Sequence, residues 1–236
     1  MIFYSDYHGI INLYKPVGVS STDCTNWVKR LLCIKKVGHG GTLDPFAEGI
    51  LPIGINKGTK LLESYLQGSK SYIGHVTAGY KTDTLDSEGK ILEIGDSKIN
   101  QAHLLSIQSK FIGTFFQDTP AFSARKVKGK RLYKSAREGI EVKDRPKREV
   151  TIFSLEIRDL RESSFTIEVE CSKGTYIRQL VADIAKEINL NMTLDRLIRT
   201  KVAKLEVENS IYHWDLLRLI QNNETIDGQY FKTPFA

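Results

Sequence analysis

Several features that define common classes of protein are missing from this sequence. Its three cysteines, Cys24, Cys33 and Cys171, are far apart and form no CxxC pair, which argues against a disulfide framework and against a cysteine-bound metal. The five histidines form no HExxH pattern, so we expect no metal site. Apolar runs are short, and no basic N-terminal segment precedes an apolar stretch. The sequence therefore predicts a cytoplasmic protein that is neither exported nor inserted in a membrane.

Motifs for bound nucleotides and for serine hydrolysis are absent as well. Neither GxGxxG nor GxxxxGK[ST] follows a predicted strand, and there is no GxSxG. We therefore expect no nucleotide cofactor. What the chain does have is 236 residues of which 41% are hydrophobic, enough to bury a substantial core.

Positive charge is concentrated in one segment. Residues 125–148 hold eleven lysines and arginines against three acidic residues, a net charge of +8, whereas the whole chain carries +6. Such a concentration is typical of a surface that binds a polyanion, because each neutralised phosphate releases condensed counterions. A solvated basic helix face is the alternative interpretation of the same charges.

Hydrophobic periodicity predicts interleaved strands and helices without internal repeats. An amphipathic helix is expected from Ser20 or Ser21 to about Lys36, and a second over residues 175–190. The other expected elements are helices over 99–115 and 209–223, a buried strand over 50–56, a hairpin within 69–96 and a strand pair over 149–174. Long strands with few helices predict an α+β protein with a mixed, largely antiparallel central sheet flanked by helices and loops.

One carboxylate lies in a bend that glycine and proline impose. Asp44 belongs to the stretch GHGGTLDPFAEGILPIG, residues 38–54. Glycines let the backbone turn sharply and approach a ligand, while Pro45 restricts the residue before it. The bend would present the carboxylate at a strand edge. A turn-stabilising or helix-capping aspartate has the same local pattern, so the stretch alone does not identify an active site.

The same stretch resembles the signature of the tRNA pseudouridine-55 synthases, the TruB family. Four further segments resemble that family in the same order: LYKPVGVSS, KSYIGHVTAGYKTDTLDSEG, FIGTFFQDTPAFSARKVKGKRLYKSAREG and CSKGTYIRQLVADIA. The resemblance extends over about residues 8–216. It implies a pseudouridine synthase fold and an isomerase that acts on a uridine in the T-loop of tRNA.

The family's reaction detaches uracil from ribose at N1, turns the base and reattaches it through C5 to C1′. Because this is an isomerisation, the resemblance implies no redox or group-transfer cofactor. The reaction needs a carboxylate near the sugar, a stacking surface for the loose base and a dry pocket. Asp44 matches the catalytic aspartate. The sequence leaves open whether it attacks C1′, attacks C6 or removes the C2′ proton, and we favour a base or nucleophile acting on the sugar.

The resemblance also assigns residues that bind the substrate. Arg178 corresponds to the arginine that pairs with the catalytic acid, where a guanidinium would keep Asp44 ionised. Tyr72 corresponds to the tyrosine that stacks on the flipped base. Without the resemblance, a tyrosine in a strand is more often a core residue, and an arginine at the start of a helix is more often an ordinary surface residue.

Five further residues have assigned roles. His39 corresponds to the histidine that fills the gap left when the T-loop opens, with a structural histidine as the alternative. Leu197 and Tyr176 are predicted to bind the base. Lys15 and Pro16 are predicted to support the site without taking part in the chemistry.

Binding of tRNA outside the base pocket is expected from cationic side chains. An insertion over about residues 119–149 is predicted to grip the stem and loop of the T-arm. The predicted RNA-binding residues are Lys60, Arg125, Lys126, Lys128, Lys130 and Arg131. We expect no protein partner and a monomer.

Residues 1–225 are predicted to form a single catalytic domain, followed by a tail over 226–236. Many bacterial members continue into a PUA-type domain, which is not expected here, so recognition would rest mainly on the T-arm. Two departures from the family pattern occur, Thr119-Pro120-Ala121-Phe122 for Pro-Pro-x-Tyr and Ile198 where many members have arginine. Two alternatives stay open: a guide-dependent relative, as in box H/ACA particles, and an RNA chaperone or tRNA-binding module.

Overall fold

The computed structural model describes residues 7–123, 125–127, 129–140, 142, 145–226 and 230–232. The chain forms two units, one from residues 1–72 together with 198–236 and the other from residues 73–197. No helix within the described ranges is long and apolar enough to cross a membrane.

The secondary structure follows in chain order. The strands are β1 (Gly9–Lys15), β2 (Val37–His39), β3 (Glu48–Ile55), β4 (Lys70–Ala78), β5 (Tyr80–Thr82), β6 (Ile91–Ile94), β7 (Gly113–Asp118), β8 (Lys126–Val127), β9 (Lys130–Arg131), β10 (Lys147–Arg158), β11 (Ser164–Cys171), β12 (Met192–Val202), β13 (Leu205–Glu206) and β14 (Phe231–Lys232). The α-helices are α1 (Ser21–Leu31), α2 (Leu62–Gln67), α3 (Gln101–Ile107), α4 (Leu132–Arg137), α5 (Ile177–Glu187) and α6 (His213–Gln221).

Strand β3 is central to the first unit. Strand β1 pairs with it antiparallel, with Leu13 opposite Leu51, and β14 pairs with the other edge of β1. The second edge of β3 has two partners. The end of β3 pairs antiparallel with β2, and the start of β3 pairs parallel with β12, where Arg199 lies opposite Gly49. This parallel pair brings Arg199 to the beginning of β3, about 150 residues away in sequence.

The core of the first unit lies between these strands and helices α1 and α6. Val28 of α1 and Leu216 of α6 are buried in one cluster with Leu13 and Leu51. Helix α1 begins with a capping box, since the Ser20 hydroxyl accepts a hydrogen bond from the Asp23 N–H and the Asp23 carboxylate accepts one from the Ser20 N–H. The predicted start is confirmed.

Helix α1 ends at Leu31 and not near Lys36, because Cys33 takes a left-handed backbone conformation with φ of 54°. At the other end of the chain, Phe231 is buried and lies opposite Ile11 of β1. The described part of the predicted C-terminal tail therefore contributes a strand and an apolar side chain to the first unit.

The second unit contains strands in the order β4, β11, β10, β7. Strands β10 and β11 form an antiparallel pair with Leu155 opposite Val169. Helix α5 buries Leu180, Val181 and Ile184 on one side, as its periodicity predicts. Strands β5 and β6 form a separate two-stranded sheet.

The helix predicted over residues 99–115 is wrong beyond Phe111. Helix α3 and a short 3-10 turn end there, and Gly113–Asp118 form strand β7, which pairs antiparallel with β10. Gly113 has φ of 111°, and the threonine and phenylalanines after it favour a strand. The predicted fold class is confirmed: an α+β protein with a mixed, mostly antiparallel sheet and helices.

Candidate functional site

Asp44 stands at the first position of a tight turn immediately before β3. The Ala47 N–H donates a 3.1 Å hydrogen bond to the Asp44 carbonyl, and Pro45 takes the second position, where its fixed φ suits the turn. The side chains of Leu43 and Phe46 are buried, whereas Asp44 itself is partly exposed. Buried apolar side chains before and within the turn thus hold it in place, while its carboxylate side chain stays partly exposed.

A buried lysine holds the turn from one side. Lys15, at the end of β1, is fully buried, and its ammonium donates to the carbonyls of Pro16 (2.8 Å), Val19 (2.8 Å) and Pro45 (3.2 Å). The Gly18 N–H donates to the same Pro45 carbonyl at 2.8 Å. A buried ammonium is tolerated only when such acceptors surround it. The segment predicted to support the site thus lies against the turn of Asp44.

A buried serine holds the residue before Asp44. The Ser21 hydroxyl donates to the Leu43 carbonyl at 3.0 Å and accepts from the Leu43 N–H at 2.9 Å. The sequence leaves Ser20 and Ser21 as alternative starts of α1. Ser20 caps the helix, whereas the Ser21 hydroxyl is bonded to Leu43.

Arg199 holds the glycine-rich side of the same loop. Arg199 is 1% exposed, and its guanidinium donates to the carbonyls of Ile50 (2.8 Å), Gly41 (3.2 Å) and Thr42 (3.4 Å). Sequence reasoning did not select Arg199. The available signal was an arginine among apolar residues of a strand. Such an arginine is buried with its neighbours, and a buried cation needs several acceptors.

The close approach of Arg199 depends on Gly49. Gly49 has φ of 109°, and a Cβ built there would lie 2.3 Å from the Arg199 carbonyl oxygen. Glycine is the residue that combines this backbone conformation with this distance. Lys15, Ser21 and Arg199 together fix the backbone on both sides of Asp44.

His39 lies at the end of β2 and is partly buried. Burial, followed by the nearby Arg199 guanidinium, lowers the pKa of His39, so its imidazole is neutral at pH 7. A neutral flat ring fits the predicted role of replacing a base, and that role stays a prediction.

In the second unit, Arg178 is the centre of a buried polar cluster. It is the second residue of α5, and its guanidinium donates to the carbonyls of Thr84 (2.7 Å) and Phe122 (3.0 Å). Its Nη1 also lies 3.4 Å from the buried carboxylate of Asp86. The predicted pairing of Arg178 with Asp44 stays a prediction.

The segment TDTLD explains the position of Asp86. The Asp86 carboxylate accepts hydrogen bonds from the Thr84 hydroxyl (2.6 Å) and the Glu88 N–H (3.1 Å), and its carbonyl accepts from the Thr82 hydroxyl (2.7 Å). The two threonines thus fix the acid that faces Arg178. Sequence reasoning identified the hairpin but not its link to Arg178.

Gln117 holds the backbone of Tyr176, which lies at the N-cap position of α5. The buried Gln117 amide donates to the Tyr176 carbonyl (3.1 Å) and accepts from the Tyr176 N–H (2.8 Å). This pair fixes the backbone two residues before Arg178. Gln117 was not predicted as a site residue.

The remaining predicted residues are placed as follows. Tyr72 is partly buried in β4, Leu197 is buried in β12, and Lys60 is exposed at the end of a 3-10 helix. Arg125 and Lys130 are exposed, and Lys130 pairs with Glu138. The backbones of Lys126 and Arg131 pair in the β8–β9 hairpin, and Lys128 lies outside the described residues.

Replacing Asp86 by alanine is expected to lower the free energy of unfolding by about 3 kcal/mol, because the buried Arg178 guanidinium loses its carboxylate partner. Urea denaturation would measure the change. Asp96→Ala is the matched control: its carboxylate is exposed and accepts from the Lys98 N–H, so a loss below about 1 kcal/mol is expected. Equal losses for the two variants would contradict a structural role for the cluster.

Comparison with known proteins gives a consistent set of similarities. Residues 29–177 match the model of the TruB family pseudouridylate synthases, N terminal domain. A tRNA pseudouridine synthase B of Clostridium tetani is 42% identical over 205 residues, which cover 86% of this chain and 71% of that protein. The protein of the same name from Thermosipho melanesiensis is 40% identical over 221 residues, or 94% of this chain and 72% of that one.

Solved structures show a similar fold. A Cbf5-Nop10-Gar1 complex contains a chain that matches with a TM-score of 0.73 and 24% identity, over 97% of this chain and 59% of that chain. An H/ACA RNP bound to a substrate RNA containing 2′-deoxyuridine matches with a TM-score of 0.70 and 22% identity, over 97% and 58%. This chain therefore spans less than two thirds of the length of these structural neighbours, and at such identities they show the fold alone.

Proposed function

Because the chain belongs to the TruB family of pseudouridylate synthases, we propose that it isomerises uridine 55 in the T-loop of tRNA, with Asp44 as the catalytic residue. The family makes it an isomerase. The proteins named tRNA pseudouridine synthase B that it resembles support tRNA as the substrate. We also propose that it works as a monomer in the cytoplasm.

The observation that carries the proposal is that buried side chains hold the backbone of the turn on both sides of Asp44. Three buried side chains, Lys15, Ser21 and Arg199, hold the carbonyls or amides of its neighbours. Catalysis gains when a reacting group is held in place before the substrate arrives, since no ordering cost is then added at the transition state. This support of the neighbouring backbone favours a catalytic role for Asp44 over that of an ordinary turn residue.

In the proposed reaction Asp44 acts on the sugar as nucleophile or base while the N1–C1′ bond breaks. The detached uracil turns and forms the C5–C1′ bond, after which C5 loses its proton and N1 carries one. Atoms and electrons balance without an oxidant or reductant. Tyr72 stacks on the base with about 1–3 kcal/mol, while Leu197 and Tyr176 line its pocket.

Arg178 is proposed to keep Asp44 ionised, and His39 to take the place of the base that leaves the T-loop. The cluster that surrounds Arg178 holds its guanidinium through two carbonyls and one carboxylate. This support favours a precise position for its charge.

Lys60 and the basic residues of the 119–149 insertion are proposed to bind the phosphates of the T-arm. Raising the salt concentration from 50 to 200 mM is then expected to weaken tRNA binding at least about tenfold, which about three neutralised phosphates suffice to produce. Filter binding over a salt series would measure this dependence. Lys60→Ala should lower the slope by about one, whereas Lys57→Ala, an exposed lysine of the same 3-10 helix, should leave it unchanged. A flat salt dependence would contradict binding through phosphates.

The proposed function is tested by mapping pseudouridine in an unmodified tRNA transcript after incubation with the purified protein alone. One pseudouridine at position 55 is expected. A T-arm hairpin should be modified as well as full tRNA if the T-arm is the main recognition element. A strong preference for full tRNA would oppose that part of the proposal. Binding without modification would favour the RNA chaperone, and modification only with an added guide RNA would favour the guide-dependent relative.

A further inference from the structure

Three aromatic rings form a stack on the first unit. Tyr14 and Tyr212 are stacked with ring centroids 4.4 Å apart and planes inclined by 29°. Tyr212 and Trp214 continue the stack at 4.9 Å and 12°. We call these three residues the aromatic stack. Nearly parallel rings at this spacing form a ladder that one more flat ring can extend.

The inner end of the aromatic stack is buried and hydrogen-bonded, and its outer end is half exposed. Tyr14 is 9% exposed, and its hydroxyl donates to the Glu48 carboxylate at 2.9 Å. Trp214 is 52% exposed, although Tyr212 covers one of its faces and His213 meets it edge-on at 4.6 Å. Helix α6 buries Leu216 and leaves this indole outward. A single exposed hydrophobic residue is ordinary. An exposed indole at the end of a stack differs from it, because its neighbour in the stack already fixes the orientation of its ring.

Exposed basic side chains lie on the two helices next to the stack. The Trp27 ring of α1 packs on His213 at 4.7 Å, so α1 adjoins the start of α6. Lys29 and Arg30, in the last turn of α1, are exposed, as is Arg218 of α6, which pairs with Asp215 at 3.3 Å. A stable protein interface needs about 800 Å² from each partner, whereas the exposed large apolar side chains of α6 are Trp214 and Leu217, of which the indole is the larger. A nucleobase matches it in size, and exposed aromatic rings are the surfaces on which unpaired bases stack.

We propose that the outer face of Trp214 stacks on an unpaired nucleobase of the RNA that the protein binds, at a contact outside the set of residues assigned above to the base pocket. The proposal rests on the proposed function for the nature of the ligand. Stacking on aromatic rings tolerates any base, so this contact adds affinity and leaves the choice of the modified uridine to the catalytic turn.

The sequence makes the test direct, since Trp27 and Trp214 are its two tryptophans. In a Trp27→Phe variant, which keeps a ring against His213, all indole fluorescence comes from Trp214. Titration with the unmodified tRNA transcript is expected to quench that fluorescence. Trp214→Ala should raise KM for tRNA about fivefold or more with kcat unchanged, Trp214→Phe should restore most of the affinity, and Leu217→Ala, an exposed apolar residue of the same helix, should change neither.

Absence of quenching at a tRNA concentration that saturates binding would overturn the proposal, as would an unchanged KM for Trp214→Ala. Fluorescence that changes with protein concentration in the absence of RNA would also overturn it, because a second copy would then occupy the stack. Pseudouridine formation is scored separately in each experiment. A protein that binds tRNA with quenching but forms no pseudouridine would therefore refute the proposed function and support the stack.

Discussion

An Asp44→Asn variant is expected to bind tRNA as the wild type does and to lose at least about 10²-fold in kcat. The amide keeps the size of the side chain but can neither attack a sugar carbon nor accept a proton at neutral pH, and a well-placed base or nucleophile contributes this much or more. The side chain is partly exposed, and the turn is held through backbone groups. The fold should therefore tolerate the change.

Single-turnover formation of pseudouridine in a tRNA transcript measures the loss. Asp23→Asn is the matched control, because Asp23 lies in the first turn of α1, where Ser21 holds the residue before Asp44. It should cost at most about 1 kcal/mol of stability, through the loss of a negative charge in the first turn of the helix, and leave kcat unchanged. An Asp44→Asn protein that retained a tenth of the activity would refute the assignment of Asp44. If the wild type were also inactive, the choice of substrate would be at fault.

A Gly49→Ala variant is expected to lower the free energy of unfolding by about 4 kcal/mol or more. This is an exceptional loss for a substitution that adds one methyl group. The new methyl group would lie 2.3 Å from the Arg199 carbonyl oxygen and 2.8 Å from its nitrogen. Both are backbone atoms of β12, which pairs with β3 at this point, so neither can move without breaking the pair. The carbonyls of Gly41 and Thr42 would lose their fixed donor as Arg199 shifted.

The matched control is Gly113→Ala. Gly113 has nearly the same φ, 111° against 109°, but no atom lies within 4 Å of the position that its Cβ would take. Its loss should reflect backbone strain alone, about 1–3 kcal/mol. Urea denaturation of both variants separates the two causes. Equal losses would show that the Arg199 backbone can move away from the new methyl group at no cost. The hold of Arg199 on the Asp44 turn would then be weaker than the distances indicate.

Local signals in the sequence were sufficient for several elements. Ser20 and Asp23 specify the start of α1 because a capping box needs only neighbours three residues apart. The apolar residues of α5 repeat with the helical period, and one side of the helix is buried accordingly. The ordered motifs around Asp44, Tyr72 and Arg178 were sufficient to indicate the family. Where the local signal was mixed, as after Phe111, the helix prediction failed because pairing with β10 decides that segment.

The sequence by itself thus determined the fold class, the family and the turn that presents Asp44. The tertiary structure alone decided what holds that turn and what surrounds Arg178. Arg199 reaches Gly41 because β12 pairs parallel with β3, and Asp86 reaches Arg178 through a fold that brings together residues 92 positions apart. A helix cap is set by neighbouring residues, whereas the partner of a buried charge is set by which strands and helices pack together. The stack of Tyr14, Tyr212 and Trp214 has the same origin, since rings about 200 residues apart meet only after the chain has folded.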